Sequence, residues 1–152
     1  MAQVTGQTTG ASFYAAVSTD GSSYTDVSGA ATVVEPKAVA RKHGEAYTGG
    51  SEDYPAKAFG KLEPQEWELT VIYTKTSNEA YDLLHDAMIA NSRLNLRYCP
   101  EGNTTGNERF TLSGTGVRVV ELDFPTADGS EENPVVCKAT FAGATYTRDV
   151  VP

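Results

Sequence analysis

The sequence has few of the features that mark membrane-bound, secreted or disulfide-linked proteins. Its apolar runs are far shorter than the about 20 residues of a membrane-spanning helix. Its opening stretch, MAQVTGQTTGAS, has no charged-then-apolar leader pattern. We therefore expect no membrane anchor and a protein that is made and kept in the cytoplasm. The only two cysteines, Cys99 and Cys137, are expected to be buried thiols, with a disulfide as the less favoured alternative.

The sequence motifs of common enzymes are missing as well. The chain has no G-x-S-x-G nucleophile turn, no phosphate-binding loop and no G-x-G-x-x-G fingerprint. Of its two histidines, His43 lies in a basic segment and His85 on a polar helix face, and neither has a partner at metal-ligand spacing. The acidic stretch 123–132 does not have the spacing of a calcium loop. We expect no catalytic residues, no metal site and no cofactor.

Composition places the chain among globular proteins with an acidic surface. Its 152 residues are 39% hydrophobic and 21% charged, which suggests one domain spanning 1–152, with residues 1–12 as a flexible arm. The formal charge of −8 disfavours tight binding to nucleic acid or anionic lipid. The sequence at this level indicates a binding or structural protein.

Most of the chain shows the alternation of half-buried strands. In the clearest case Trp67, Leu69, Val71 and Tyr73 alternate with other residues. Similar patterns occupy residues 13–19, 31–34, 94–99, 110–112, 117–124 and 135–142. The pattern predicts a mainly β protein, a β-sandwich or barrel of about seven to nine strands with one flanking α-helix. Lys138 is the only lysine or arginine in residues 67–74 and 135–142, and neither segment contains proline, so we expect them to offer open sheet edges.

One amphipathic helix is predicted near the middle of the chain. Residues 76–79, Thr-Ser-Asn-Glu, fit a capping box, and Asn91 is a plausible left-handed end. Tyr81, Leu84 and Met88 recur at helical spacing and form one apolar face. We expect this face to pack on a β-sheet.

Eight tyrosines, including Tyr47, Tyr54 and Tyr146, leave a second function open. Exposed tyrosines are common in carbohydrate- and protein-binding faces, whereas tyrosines in strands usually pack half-buried. A β-sandwich carbohydrate- or protein-binding module is therefore the alternative to a structural protein.

Several segments, taken in order, resemble the major tail tube protein of long-tailed (siphovirus-like) bacteriophages. They are DGSSYTDVSG, ARKHGEAYT, GKLEPQEWELTVIYT, SNEAYDLLHDAMIA, LNLRYCPEGN and RFTLSGTGVRVV, and the similarity covers about residues 12–150. The resemblance implies a β-sandwich or barrel with one helix. It implies hexameric rings stacked into a hollow tube through which DNA leaves the virion. The same fold serves contractile-tail tubes, bacterial injection tubes and tail terminators.

The resemblance also implies partners and assembly surfaces. The chain's main partner would be itself, followed by the tail terminator, the tape measure and the baseplate or tip. DNA would be passing cargo, and the protein would be assembled in the host cytoplasm and reside in the virion tail. The family's ring-stacking loop corresponds to residues 47–59, in which the residues expected to make contacts are Tyr47, Glu52, Asp53, Tyr54, Lys57 and Phe59. The helix face of Tyr81, Leu84 and Met88 would cover the flank of the inner sheet.

Overall fold

The structure, a computed structural model, describes residues 12–46, 56–130 and 132–152, and this part of the chain forms eleven strands and one helix. The helix α1 spans Ala80–Ala90. The strands are β1 (Tyr14–Ser18), β2 (Thr25–Asp26), β3 (Ala31–Pro36), β4 (Arg41–Ala46), β5 (Ala56–Leu62), β6 (Gln65–Ile72), β7 (Asn95–Cys99), β8 (Glu108–Ser113), β9 (Arg118–Leu122), β10 (Val136–Gly143) and β11 (Thr145–Val150). The mainly β class with one helix is confirmed.

Two antiparallel sheets enclose one core. The five-stranded sheet has the order β11-β8-β7-β1-β2, and the four-stranded sheet has the order β3-β6-β10-β9. The core takes Leu96 and Leu112 from the first sheet, and Leu69 and Phe141 from the second; all four are fully buried. A further contact between the sheets is the edge-to-face pair of Trp67 and Tyr98, whose ring centroids are 5.4 Å apart. The molecule is a β-sandwich.

The expectation that residues 67–74 and 135–142 form sheet edges is wrong. They correspond to β6 and β10, which are the two inner strands of the four-stranded sheet. A strand that is paired on both sides cannot add another strand, so it needs no charged side chains to prevent edge-to-edge pairing. The scarcity of lysine and arginine in these two segments therefore indicated central strands. Within the described residues, the edges of this sheet are β3 and β9.

Helix α1 begins later than the capping box predicted, and that prediction is wrong. Glu79 occupies the N-cap position without a side-chain hydrogen bond. Asn78 adopts a left-handed φ of 64°, and its N–H donates to Asp82 Oδ2 at 2.8 Å, so the cap comes from within the first turn. At the other end Asn91 is left-handed, with φ 48°, which confirms the predicted end.

The helix closes the sandwich beside β9. Ala80, Tyr81, Leu84 and Ala87 are buried in the core, and Met88 is half-buried against it. The Tyr81 ring meets Tyr73 edge to face with centroids 4.9 Å apart.

Strands β4 and β5 form a separate two-stranded sheet between β3 and β6. The side chains of β4 are all exposed, as are those described in β5. Residues 56–59 of the predicted long loop are strand, while 47–55 lie outside the described residues, as does the arm up to residue 11. We call β4 and β5 the hairpin stem.

Both cysteines are free and fully buried, Cys99 in β7 and Cys137 in β10. Burial raises the pKa of both thiols above the ordinary value, so little reactive thiolate is present at neutral pH.

Replacing Leu84 by alanine should lower the free energy of unfolding by about 2–5 kcal/mol, because its side chain is 1% exposed at the centre of the buried helix face. Asp86→Ala, on the exposed side of the same helix, should change it by less than about 0.5 kcal/mol. Urea unfolding followed by circular dichroism measures both. Equal small effects would mean that the helix does not stabilise the core.

An alkylating reagent should leave the native protein unmodified at neutral pH, since both thiols are buried with raised pKa values. In denaturant without reductant, intact mass should show two adducts. An unmodified chain in denaturant would indicate a disulfide between Cys99 and Cys137 instead.

Candidate functional site

The surfaces of the sandwich are better candidates for function than any cavity. Among the described residues, no group of three or more His, Cys, Asp or Glu side chains is placed to hold a metal ion. No helix in the described ranges has the length and apolar character needed to cross a membrane. The features that remain are the open edges of the four-stranded sheet, its outward face and the hairpin stem.

The two edges of the four-stranded sheet are unpaired within the described subunit. Strand β3 pairs only with β6, and strand β9 pairs only with β10. Val33 on β3 and Val120 on β9 are 41% and 51% exposed. Both edges therefore present free backbone hydrogen-bonding groups next to apolar side chains. These are the features that allow a strand of another chain to pair with a sheet edge.

The outward face of this sheet carries a row of carboxylates. The strand registers place Glu35 opposite Glu68, Glu68 opposite Thr140, and Thr140 opposite Glu121. The row thus crosses all four strands, with three glutamates and one threonine. Like charges directly opposite each other disfavour strand pairing, so this row is a cost to folding.

Two lysines offset part of that charge. Lys138 Nζ lies 3.4 Å from Glu68 Oε2, and Lys37 forms an ion pair with Glu66. The hydrogen bond to Glu66 raises the pKa of Lys37 above its ordinary value. The outward face keeps an acidic balance because Glu35 and Glu121, at the two edges, have no ion pair within the described part of the chain.

The hairpin stem is basic and projects from the end of the sheet where β3 stops and β6 starts. Its residues 41–46 and 56–62 contain four lysines or arginines and one glutamate, a formal charge of +3. Across the stem His43 faces Phe59, and Arg41 donates from Nη1 to the Gly60 carbonyl at 2.8 Å. Phe59 is 74% exposed. An exposed aromatic ring among cations is suited to contact another macromolecule.

Only part of the predicted stacking loop can be located. Tyr47, Glu52, Asp53 and Tyr54 lie outside the described residues, and Lys57 lies on β5 with its side chain outside the description. Phe59 is exposed on β5. The helix residues Tyr81, Leu84 and Met88 come together, but at the core beside β9 and not with the loop.

Sequence reasoning missed the carboxylate row and the basic stem. The signal for the row was present, since Glu66 and Glu68 alternate with the buried residues of β6 and so share its outward face. Glu35 and Glu121 gave no such signal, because only the pairing of distant strands aligns them with Glu68. The stem was visible as the basic segments flanking the loop.

No protein-family model and no curated protein matches the sequence.

Solved structures do match the fold. The anti-feeding prophage cap, described as the AFP tube terminating cap, has 14% identity and a TM-score of 0.70, over 99% of this chain and 95% of that chain. The sheath/tube terminator of the PVC extracellular contractile injection system has 13% identity and a TM-score of 0.70, over 92% and 94%. The SPP1 tail tube has 9% identity and a TM-score of 0.67, over 95% and 80%.

These neighbours identify the fold but do not indicate which type of tail the protein would belong to. One belongs to a contractile injection system and another is a tail tube, so the fold does not specify a long-tailed phage. At these identities the likeness concerns architecture. The chain has the fold shared by tail tube proteins and tube terminators.

Proposed function

We propose that the chain is a structural protein that assembles into rings, and that the rings stack into the hollow tube of a tail or injection apparatus. The observation that carries this proposal is the four-stranded sheet with two open edges. The order β3-β6-β10-β9 is antiparallel throughout, so β3 and β9 run in opposite directions. A copy rotated about an axis along the strands can therefore pair its β9 with the β3 of its neighbour in the same antiparallel mode.

Ring closure follows from the repeat of that pairing. Each contact joins two different edges, which is a head-to-tail interface, and such interfaces close when the rotation divides a full turn. The resemblance to tail tube proteins implies six copies. Joined in this way, the sheets form a continuous wall around a channel, and no backbone edge of the four-stranded sheet is left open.

The outward face of the sheet would then line the channel. The row Glu35, Glu68 and Glu121 would run around its circumference. A basic channel wall would bind the phosphates of DNA, because binding releases their counterions. An acidic wall repels the phosphates, so a DNA duplex can slide through the channel. DNA as passing cargo, without specific binding, fits this lining.

The hairpin and the helix have separate roles in this arrangement. The stem, with its tip at residues 47–55, would reach the next ring through Tyr47, Glu52, Asp53, Tyr54, Lys57 and Phe59. The helix face of Tyr81, Leu84 and Met88 would hold α1 against β9 and so set the angle of the edge used in ring closure.

Other tail components complete the proposed assembly. The terminator, the tape measure and the baseplate or tip are the expected partners, at the ends and in the channel of the tube. The neighbours include a tube terminating cap and a baseplate structure. We expect assembly in the host cytoplasm, residence in the virion tail and no catalytic activity.

The binding-module alternative has less support. It needs two or three aromatic rings on one open sheet face. The six described tyrosines are all buried or half-buried, and Tyr73, Tyr81 and Tyr98 each pack against another ring.

Placing a lysine at Val120 should block ring formation and leave the fold intact, because it replaces an exposed apolar side chain of the edge strand by lysine, the residue that most often protects sheet edges from pairing. The matched control is Val150→Lys on β11, the edge of the other sheet, where valine is 58% exposed. Analytical ultracentrifugation and negative-stain microscopy report assembly, and circular dichroism reports folding. Equal assembly of both variants would contradict the use of β9.

The wild-type protein should be monomeric when dilute at low salt and form rings or tubes when concentrated at moderate salt. Subunits of charge −8 repel each other, and about 0.1 M salt screens that repulsion beyond about 10 Å. Light scattering across concentration and salt measures the transition. A chain that stays monomeric throughout, even with tail partners as nuclei, would support the binding module.

Deleting residues 49–54, between the two strands of the stem, should stop stacking more than folding. Single rings should accumulate in place of tubes, and the unfolding midpoint should change little. Microscopy and thermal unfolding test this together. Tubes of normal length from the deleted chain would exclude the tip from ring stacking.

A further inference from the structure

Two features at the same end of the four-stranded sheet match each other: an exposed phenylalanine just after β9 and an apolar cleft at the start of β3. We propose that neighbouring copies join in one register, with Val34 of one copy paired to Leu122 of the next, and that Phe124 of the second copy occupies the cleft of the first. This inference rests on the proposed function and deepens it, because it identifies the residues that align neighbouring copies. The occupant of the cleft is another copy of this chain.

The free backbone groups of β3 are confined to a short regular stretch. The Lys37 N–H donates to the Glu66 carbonyl of β6 at 3.0 Å. Residues along an antiparallel pair alternate between bonding to the partner strand and pointing away from it, so Val34 directs its N–H and C=O towards the open edge. Thr32 is the extra residue of a β-bulge on one side of Val34. On the other side, Pro36 has no N–H to donate.

Strand β9 has a regular stretch of the same length. The Asp123 N–H donates to β10 at 2.9 Å, so Leu122 directs its backbone groups towards the open edge. Val120 is the extra residue of a β-bulge on one side of Leu122. On the other side, Phe124 lies beyond the last residue of β9, and Pro125 restricts it to an extended conformation.

Only one register brings the two regular stretches together. Pairing Val34 with Leu122 of the neighbour places the bulged Val120 opposite Pro36, so two irregular positions meet outside the regular stretch. A shift by one pleat period in either direction sets an irregular residue of one strand against the regular centre of the other. Val34 and Leu122 also both pack against the core, so this register keeps the core side chains on one face of the joined sheets.

This backbone contact is short and partly opposed by charge. The Val34–Leu122 pair would exchange both of its backbone hydrogen bonds. The adjacent pair brings Glu35 of one copy directly opposite Glu121 of the next, and like charges in that position disfavour strand pairing. An apolar contact at the end of the strands would offset this cost.

Phe124 is placed to make that contact. It is 83% exposed, which makes it the most exposed large apolar side chain of the described residues. It lines a groove with Tyr81 and His85 of α1, so it lies on the helix side of the sheet. Aromatic side chains are enriched among the residues that contribute most to binding in protein interfaces.

The receiving cleft lies where β3 begins, which is the end of the sheet where β9 stops. Its volume is about 450 Å³, and its apolar lining comes from Val27, Ala30, Ile72 and Ala80. In the proposed register, Phe124 of the neighbour comes opposite Thr32, so Ala30 is its diagonal neighbour. Aromatic side chains reach diagonal neighbours across a strand pair. The cleft is therefore continuous with the strand contact and within reach of Phe124.

Paired cysteines test the register. Residues 35 and 121 would form a non-hydrogen-bonded pair with Cα atoms about 4.5 Å apart, which a disulfide can bridge. Mild oxidation of the double variant Glu35→Cys with Glu121→Cys should therefore give covalent multimers on a denaturing gel. Val33→Cys with Glu121→Cys, and Lys37→Cys with Glu121→Cys, report the two shifted registers and should stay monomeric. The native cysteines are buried. Multimers from a shifted pair, and none from the first pair, would overturn the register.

Removing the aromatic ring tests the cleft contact. Phe124→Ser should raise the protein concentration needed for ring formation by about tenfold or more. Circular dichroism and the unfolding midpoint should stay unchanged, because the side chain is exposed. The matched control Ile89→Ser removes a 74% exposed apolar side chain of α1, outside the cleft and both edge strands, and should leave ring formation unchanged. Sedimentation velocity measures assembly, and equal ring formation by both variants would overturn the cleft contact.

A photo-cross-linker at position 124 identifies what the side chain contacts. Benzoylphenylalanine there, in rings assembled from isotopically light and heavy copies, should join residues 26–30 or 78–80 of a different copy. Cross-links confined to one copy would overturn the contact with a second copy. Wild-type rings that give neither the disulfide between residues 35 and 121 nor the cross-link from 124 would overturn this inference alone. Absence of rings from the wild-type chain would overturn the proposed function itself.

Discussion

Unpaired backbone groups at β3 and β9 are the constraint that organises the rest of the molecule. The inner strands β6 and β10 satisfy each other and bury Leu69, Val71, Ala139 and Phe141 on one face, so the sandwich is stable as a subunit. The edges have no such closure. A sheet with an even number of antiparallel strands ends in two strands of opposite direction, so a rotated copy of itself can satisfy both edges at once. In the proposed ring, the subunit core and the assembly interface would be two parts of one hydrogen-bonded sheet.

The helix supports that edge more than it supports the centre of the core. It lies against β9 with Tyr81, Leu84 and Ala87 buried, and Tyr81 also reaches the Asp123 carbonyl just after β9, at 3.4 Å. An edge strand with no partner on one side is the part of a sheet most prone to fray. Packing α1 on β9 keeps that strand extended, ready for the neighbour that the proposed ring would add.

The sequence predicted the parts of the fold that depend on local periodicity. The alternation of Trp67, Leu69 and Val71 located β6, and the spacing of Tyr81 and Leu84 located α1. The strand order was not predictable in this way, because an apolar strand without lysine or proline has the same alternation pattern at the edge of a sheet as at its centre. The capping box failed for a related reason: Thr76 and Glu79 match the pattern, but the left-handed turn at Asn78 moves the start of the helix. The row of Glu35, Glu68 and Glu121 depends on pairings between strands far apart in the chain, which no local pattern contains.

The distribution of charge also bears on how a chain of −8 would associate with itself in the proposed assembly. Uniform negative charge would oppose every contact, and screening alone would promote contacts without direction. Here the hairpin stem has a formal charge of +3, so the negative charge lies on the rest of the molecule. In the proposed rings, side-by-side contacts would rely on backbone hydrogen bonds, which salt affects little. Salt that screens the repulsion between subunits would therefore favour closure of the proposed rings without weakening the hydrogen bonds that join them.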